Sequence, residues 1–120
     1  MNQLYPVFLK LDEIRCLVVG AGEVACRKVE ALLECNGIVS VVAPKVCRSV
    51  MELHAQERIA LYARRFELSD LDGIRLAVAS TNDSAVNELV WNECEKRNIL
   101  CNVVDVPEHC RFFAASTLTQ

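Results

Sequence analysis

The chain has 120 residues, enough for one compact core, and its 52% hydrophobic fraction with only 4 Gly and 3 Pro excludes disordered, collagen-like and low-complexity classes. A net charge of −3, with no cationic run longer than a pair such as Arg64-Arg65, argues against nucleic acid as a partner. No apolar run approaches the ~18 residues of a membrane span, and Met1 to Pro6 lack the features of a signal peptide, so the expectation is a cytoplasmic protein with no membrane partner.

In chain order, Cys16-Leu17-Val18-Val19 is a continuous apolar run of the kind a strand covered on both faces requires, and it ends in Gly20-Ala21-Gly22. A helix is expected over residues 23–34, with Ala25, Val29 and Leu33 on its apolar stripe and Asn36-Gly37 closing it. A second buried strand over 39–43 stops at Pro44, which can donate nothing to a ladder. A helix over 46–56, a shorter strand over 59–63, a turn at 69–73 and a strand over 76–79 follow. Asp83 or Ser84 caps the next helix, which runs to Arg97 with Val86, Leu89, Val90 and Cys94 inward, and 99–104 is a fifth strand. Val7-Phe8-Leu9 is expected as a short edge strand ahead of the first, and 112–116 as the start of a sixth.

Strands alternating with helices of ten to fifteen residues imply right-handed crossovers. The fold expected is therefore α/β, a Rossmann-type doubly wound parallel sheet of five to six strands forming one domain over residues 1–120.

Seven cysteines are many for this length, but the number is odd and no Cys-x-x-Cys occurs. Most are read as small buried hydrophobes in a reducing compartment, with no metal site among them. Cys47 and Cys110, in polar surroundings, are the candidates for exposure and oxidation.

The segment Gly20-Ala21-Gly22-Glu23-Val24-Ala25 has the form G-x-G-x-x-A between a strand and a helix. Gly20 permits the tight turn, Gly22 lets a pyrophosphate approach the backbone, and Ala25 is small enough for close helix packing. The acid that usually binds the ribose about twenty residues later is missing, because the second strand ends Val42-Ala43-Pro44-Lys45. Backbone groups around Ala43 and Pro44 are the substitute, and Lys45 is either a solvated lysine or a partner for a 2′-phosphate. On these grounds NAD and NADP stay open.

Ser80-Thr81-Asn82-Asp83 ends the fourth strand, facing the nicotinamide side of a bound dinucleotide while also capping a helix. Asp105, in Asn102-Val103-Val104-Asp105-Val106-Pro107, sits at the carboxyl end of the fifth strand. It is placed either for proton transfer or as a turn residue before Pro107. His109 is the competing base, and His54 reads as a helix-surface residue.

Taken together, Tyr5-Pro6-Val7-Phe8-Leu9, the block from Val19 to Lys28, Val41-Val42-Ala43-Pro44, Arg64-Arg65-Phe66, Ala79-Ser80-Thr81-Asn82-Asp83 and Asn102 to Pro107 resemble the N-terminal part of the siroheme-synthase family. That family comprises precorrin-2 dehydrogenases, often combined with sirohydrochlorin ferrochelatase. The resemblance implies NAD-dependent oxidation of precorrin-2 to sirohydrochlorin, with Fe2+ as a further substrate where iron is inserted. It implies that Gly20, Gly22, Glu23 and Val24 line the phosphates, Ala43, Pro44 and Lys45 the adenosine end, and Thr81 the nicotinamide side. Asp105 is then the general base.

The chain departs from the family at Ala115, where Pro is usual. Family members also continue into a dimerisation segment and a helical region, so a homodimer and full turnover are expected of a longer form. The competing reading is a regulatory module that senses NAD(H) or another nucleotide; such modules generally keep the acid after the second strand and need no equivalent of Asp105.

Overall fold

The computed structural model describes residues 3–114. Five strands, β1 (Arg15–Val19), β2 (Ile38–Val42), β3 (Ala60–Tyr62), β4 (Leu76–Ala79) and β5 (Leu100–Val103), form one parallel sheet in the order β3-β2-β1-β4-β5. Val18 pairs with Val41 on one side and Val78 on the other, so β1 is central. The helices are α1 (Glu23–Glu34), α2 (Arg48–Ala55) and α3 (Ser84–Arg97), with short 3-10 turns at Leu68–Leu71 and Pro107–His109.

Alternation along the strands divides the core into two layers. Cys16, Val18, Val39, Val41 and Val78 face one side, where Ala25, Cys26 and Val29 of α1 and Val50 and Leu53 of α2 cover them. Leu17, Val19, Val42, Ala77, Ala79 and Val103 face the other, beneath Val90 and Cys94 of α3 and Leu71 and Ile74 of the preceding turn. Helices on both faces make the sheet doubly wound, as expected. Leu89 is a correction: it lies on the outer face of α3 and is exposed.

The helix ends follow from their residues. Asp83 caps α3 by accepting from the N–H groups of Ala85 (3.0 Å) and Val86 (3.4 Å), and Asn98 ends it in the left-handed region at φ 59°. At the end of α1, Asn36 takes the left-handed conformation, and Gly37 donates to Leu32 O at 2.9 Å. No helix of the described residues is long and apolar enough to cross a membrane.

Two expected strands do not form among the described residues. Val7-Phe8-Leu9 has no ladder partner and its side chains are exposed. The segment leads directly into β1, whose two edges are already taken by β2 and β4, so it has no sheet edge beside it. After β5 the chain folds back: Cys110 makes a single antiparallel bridge to Asn102, Arg111 N–H donates to Cys101 O (2.7 Å), and Asn102 Nδ2 donates to Phe112 O (2.8 Å). Phe112 to Ala114 are therefore not a strand; Ala115 and Ser116 lie outside the described residues.

Candidate functional site

A cleft of ≈ 650 Å³ opens at the carboxyl edge of the sheet, walled by the loops that follow β1, β2, β3 and β4. Its size suits a small-molecule site, and it lies where the strand order reverses, the position at which open α/β sheets take their ligands.

Gly20 and Gly22 do different things in its floor. Gly20 has φ 119°, and a Cβ built on it would overlap the carbonyl oxygen of Ser80 and come within 2.8 Å of its carbon. No other residue fits there. Gly20 N–H donates to Val42 O (2.9 Å) and Ser80 N–H to Val19 O (2.8 Å), which ties three strand ends into one surface. Gly22, by contrast, has ordinary backbone angles, and a Cβ there would meet nothing within 4 Å. Its missing side chain leaves room over the first turn of α1.

That room is where an anion fits. The hydrogen bonds of α1 begin with Cys26 N–H on Gly22 O (2.9 Å), and no side chain caps the helix. The first-turn N–H groups point out of the helix with the positive end of its dipole. The residues present thus suit the diphosphate of a dinucleotide: a bare cradle, free donors and no side chain in the way. Glu23 and Val24 are exposed on this turn and lie outside the cleft walls, while Ala25 is buried beneath it.

On the β2 and β3 side, buried Ala43 forms part of the floor and exposed Pro44 and Lys45 stand above it. Val46, Cys47, Arg65 and Phe66 complete this side, and sequence reasoning had assigned none of them to the site. The signal that could have found Arg65 and Phe66 is their place just beyond a parallel strand's carboxyl end. The pair Arg64-Arg65 divides its work: Arg64 binds the Asp70 carboxylate through both terminal nitrogens (2.6 and 3.0 Å) and lies 5.4 Å from the Tyr62 ring centre, while Arg65 reaches the cleft. The Arg64 hydrogen bond holds Asp70 below the usual carboxylate range, helped by the N–H of Glu67 at 2.8 Å.

On the β4 side, Ser80, Thr81, Asn82, Asp83 and Val86 line the cleft. Asn87 from α3 grips the Thr81 peptide with both amide atoms, Oδ1 accepting from its N–H (3.2 Å) and Nδ2 donating to its carbonyl (3.1 Å). The Thr81 hydroxyl lies 2.7 Å from the same Oδ1 and also accepts from Asp83 N–H at 3.1 Å.

Asp105 is exposed, just past β5, in the left-handed region at φ 65°, and is outside the cleft walls. Val104 N–H bonds Ala79 O at 3.0 Å, so Asp105 stands beside the end of β4 at the same sheet edge. His109 stacks on Trp91, ring centres 5.1 Å apart and planes at 11°. His54 is exposed on α2, as expected of a surface residue.

The thiols depart from expectation in one respect. Cys16, Cys26, Cys94 and Cys101 are buried, and burial pushes the Cys16 thiol up to about 11. Cys35, at the end of α1, is the exposed one; Cys47 and Cys110 are half-buried. Cys110 Sγ donates to Val103 O (3.3 Å) and Val106 O (3.2 Å), and burial raises its pKa, so it is held as the thiol.

Residues 7–116 match the model of a family described as "Putative NAD(P)-binding". Siroheme synthase of Pseudoalteromonas atlantica is 42% identical over 114 residues, 95% of this chain and 25% of that protein. Siroheme synthase of Methylobacillus flagellatus is 44% identical over 111 residues, 92% and 24%. The chain thus spans about a quarter of the length of these relatives. Among solved structures, SirC, a precorrin-2 dehydrogenase, superposes with TM-score 0.69 at 33% identity, over 72% of this chain and 44% of that one. Lactate dehydrogenase of Eimeria maxima superposes with TM-score 0.56 at 14% identity, over 85% and 39%, a likeness of fold alone.

Proposed function

The chain belongs to the NAD(P)-binding family whose model spans its residues 7–116, and from that membership we propose that it is the dinucleotide-holding domain of an enzyme that oxidises precorrin-2 to sirohydrochlorin. The observation that carries the reading is the open space over Gly22 at an uncapped helix N-terminus, in a chain 33% identical to a precorrin-2 dehydrogenase.

NAD, when bound, supplies the acceptor for a hydride from the macrocycle. Gly20 and Gly22 hold the diphosphate, with Glu23 and Val24 contributing backbone N–H groups in place of side chains. Ala43, Pro44 and Lys45 receive the adenosine end, and the Thr81 loop, fixed by Asn87, orients the nicotinamide side. Asp105 takes the proton that leaves the macrocycle as the hydride departs, so the substrate loses two electrons and two hydrogens in all. The stacking of His109 on Trp91 gives that side chain a structural place and favours Asp105 as the base. In a longer form we assign the working unit to a cytoplasmic homodimer, with Fe2+ as substrate where the product is metallated.

The test is anaerobic incubation of the natural-length protein with precorrin-2 and NAD. Sirohydrochlorin and NADH should appear in equal amounts. Tight NAD binding with no consumption of precorrin-2 would instead make this a nucleotide-sensing module.

A further inference from the structure

Asp105 owes its place to the turn that carries it. Val103 to Val106 form a four-residue turn closed by Val106 N–H on Val103 O (3.1 Å), and Asp105 is its third residue, at φ 65°. The left-handed region suits glycine or asparagine at that position and is less favourable for an aspartate, so the surroundings must hold it there. One hold is Val104 N–H on Ala79 O (3.0 Å), which anchors the turn to the end of β4.

The other comes from the chain's return along β5. Cys110 Sγ lies 3.3 Å from Val103 O and 3.2 Å from Val106 O, the carbonyls of the turn's first and last residues. Its single S–H, shared between them, ties the two ends of the turn together with Asp105 in between. Cys110 is itself fixed: it is extended (φ −132°, ψ 120°) and bridged antiparallel to Asn102. The next residue is pinned twice, Arg111 N–H bonding Cys101 O (2.7 Å) and its guanidinium taking both Glu95 carboxylate oxygens on α3 (2.6 to 3.1 Å). The thiol therefore belongs to a firm support and not to a loose loop.

We propose that Cys110 is a positioning residue for the proton transfer assigned to Asp105: its S–H sets the shape of the turn and so the direction of the carboxylate. This rests on the reading of Asp105 as the base. Cys110 is outside the cleft walls, so it acts on the reaction through Asp105 and not through the dinucleotide.

Anaerobic turnover of precorrin-2 by the natural-length enzyme tests this in a double-mutant cycle. Cys110→Ala deletes the donor and should lower kcat about tenfold, the effect of a misdirected group, with the KM for precorrin-2 and the Kd for NAD within about twofold of the parent. Cys110→Ser restores a donor and should recover most of the rate. In an Asp105→Asn background no base is left to aim, and Cys110→Ala should cost less than about twofold more. A merely structural role would cost the same factor in both backgrounds, and that result overturns the proposal. So does Cys110→Ala at the parent rate, or Cys110→Ser as slow as the alanine variant. Loss of NAD binding by Cys110→Ala would mark misfolding; Cys110→Val, which fills the position without a donor and suits its extended backbone, then takes its place in the cycle. Parent-rate turnover by Asp105→Asn overturns the assignment of the base, and the positioning role with it.

Discussion

The side-chain amide of Asn87 pairs with the backbone of Thr81, accepting from its N–H at 3.2 Å and donating to its carbonyl at 3.1 Å. A residue on the first turns of α3 thereby sets the shape of the loop that ends β4. Both bonds are partly sheltered from water, so deleting them leaves the Thr81 peptide short of partners. Asn87→Ala should lower stability by about 1–3 kcal/mol. Dinucleotide affinity should fall with it, because the loop loses its fixed geometry. Urea unfolding and calorimetric titration measure the two effects separately.

The two glycines of the turn should separate folding from binding. Gly20→Ala places a Cβ against Ser80 O at a φ of 119°, and should cost at least about 2 kcal/mol of stability. Gly22→Val meets no protein atom at its Cβ, and its penalty is that of a poorer helix N-cap, no more than about 1 kcal/mol. It nonetheless fills the cradle, so NAD binding should vanish from a chain that still melts cooperatively. Equal NAD affinity in parent and Gly22→Val would remove the turn from the site.

The contrast between these glycines marks how far the sequence could be read. The strand, G-x-G-x-x-A and helix lie within one local stretch, and their order alone dictates a tight turn with free helix N–H groups. Arg65 and Phe66 were missed because they follow β3, a three-residue edge strand with exposed ends, and no local motif aims them at a turn forty-odd residues earlier. The N-terminal apolar segment was misread because alternation and β-propensity carry no information about a free sheet edge, which here is decided by where β4 pairs. Cys35, between Glu34 and Asn36, is exposed because it caps α1 one residue past the helix's last turn.

Asp105→Asn keeps the size and tolerates the left-handed φ of 65°, since asparagine enters that region readily. It removes only the basic carboxylate. Turnover of precorrin-2 by the natural-length enzyme should drop by about a hundredfold or more. NAD affinity should change little, because Asp105 is outside the cleft walls. His109→Ala, assayed alongside, should retain most of the rate. The reverse ranking would transfer the proton to the imidazole.

Asp70 gives the fold a dependence on acid. Its carboxylate accepts from Arg64 and from Glu67 N–H, and its folded pKa is lowered chiefly by the arginine. A depressed carboxylate pKa stabilises the folded state fully above the unfolded value, near ~3.9, and the contribution fades as pH falls through the folded one. At neutral pH, Asp70→Asn should therefore be less stable than the parent by about 1–2 kcal/mol. Chemical unfolding repeated below pH ~4 should show that difference shrinking. A gap independent of pH would mean that packing, not charge, accounts for the loss.

The central position of β1 has a consequence for biosynthesis. Cys16 pairs with Val39 soon after synthesis, but its other neighbour, Leu76, emerges from the ribosome much later. Until then β1 presents one complete row of unpaired N–H and C=O groups on a strand that is apolar on both faces, the arrangement most prone to pairing with another chain. Nascent chains halted before β4 should therefore need a chaperone to stay apart, whereas release past Val103 lets both edges of β1 close within the same molecule.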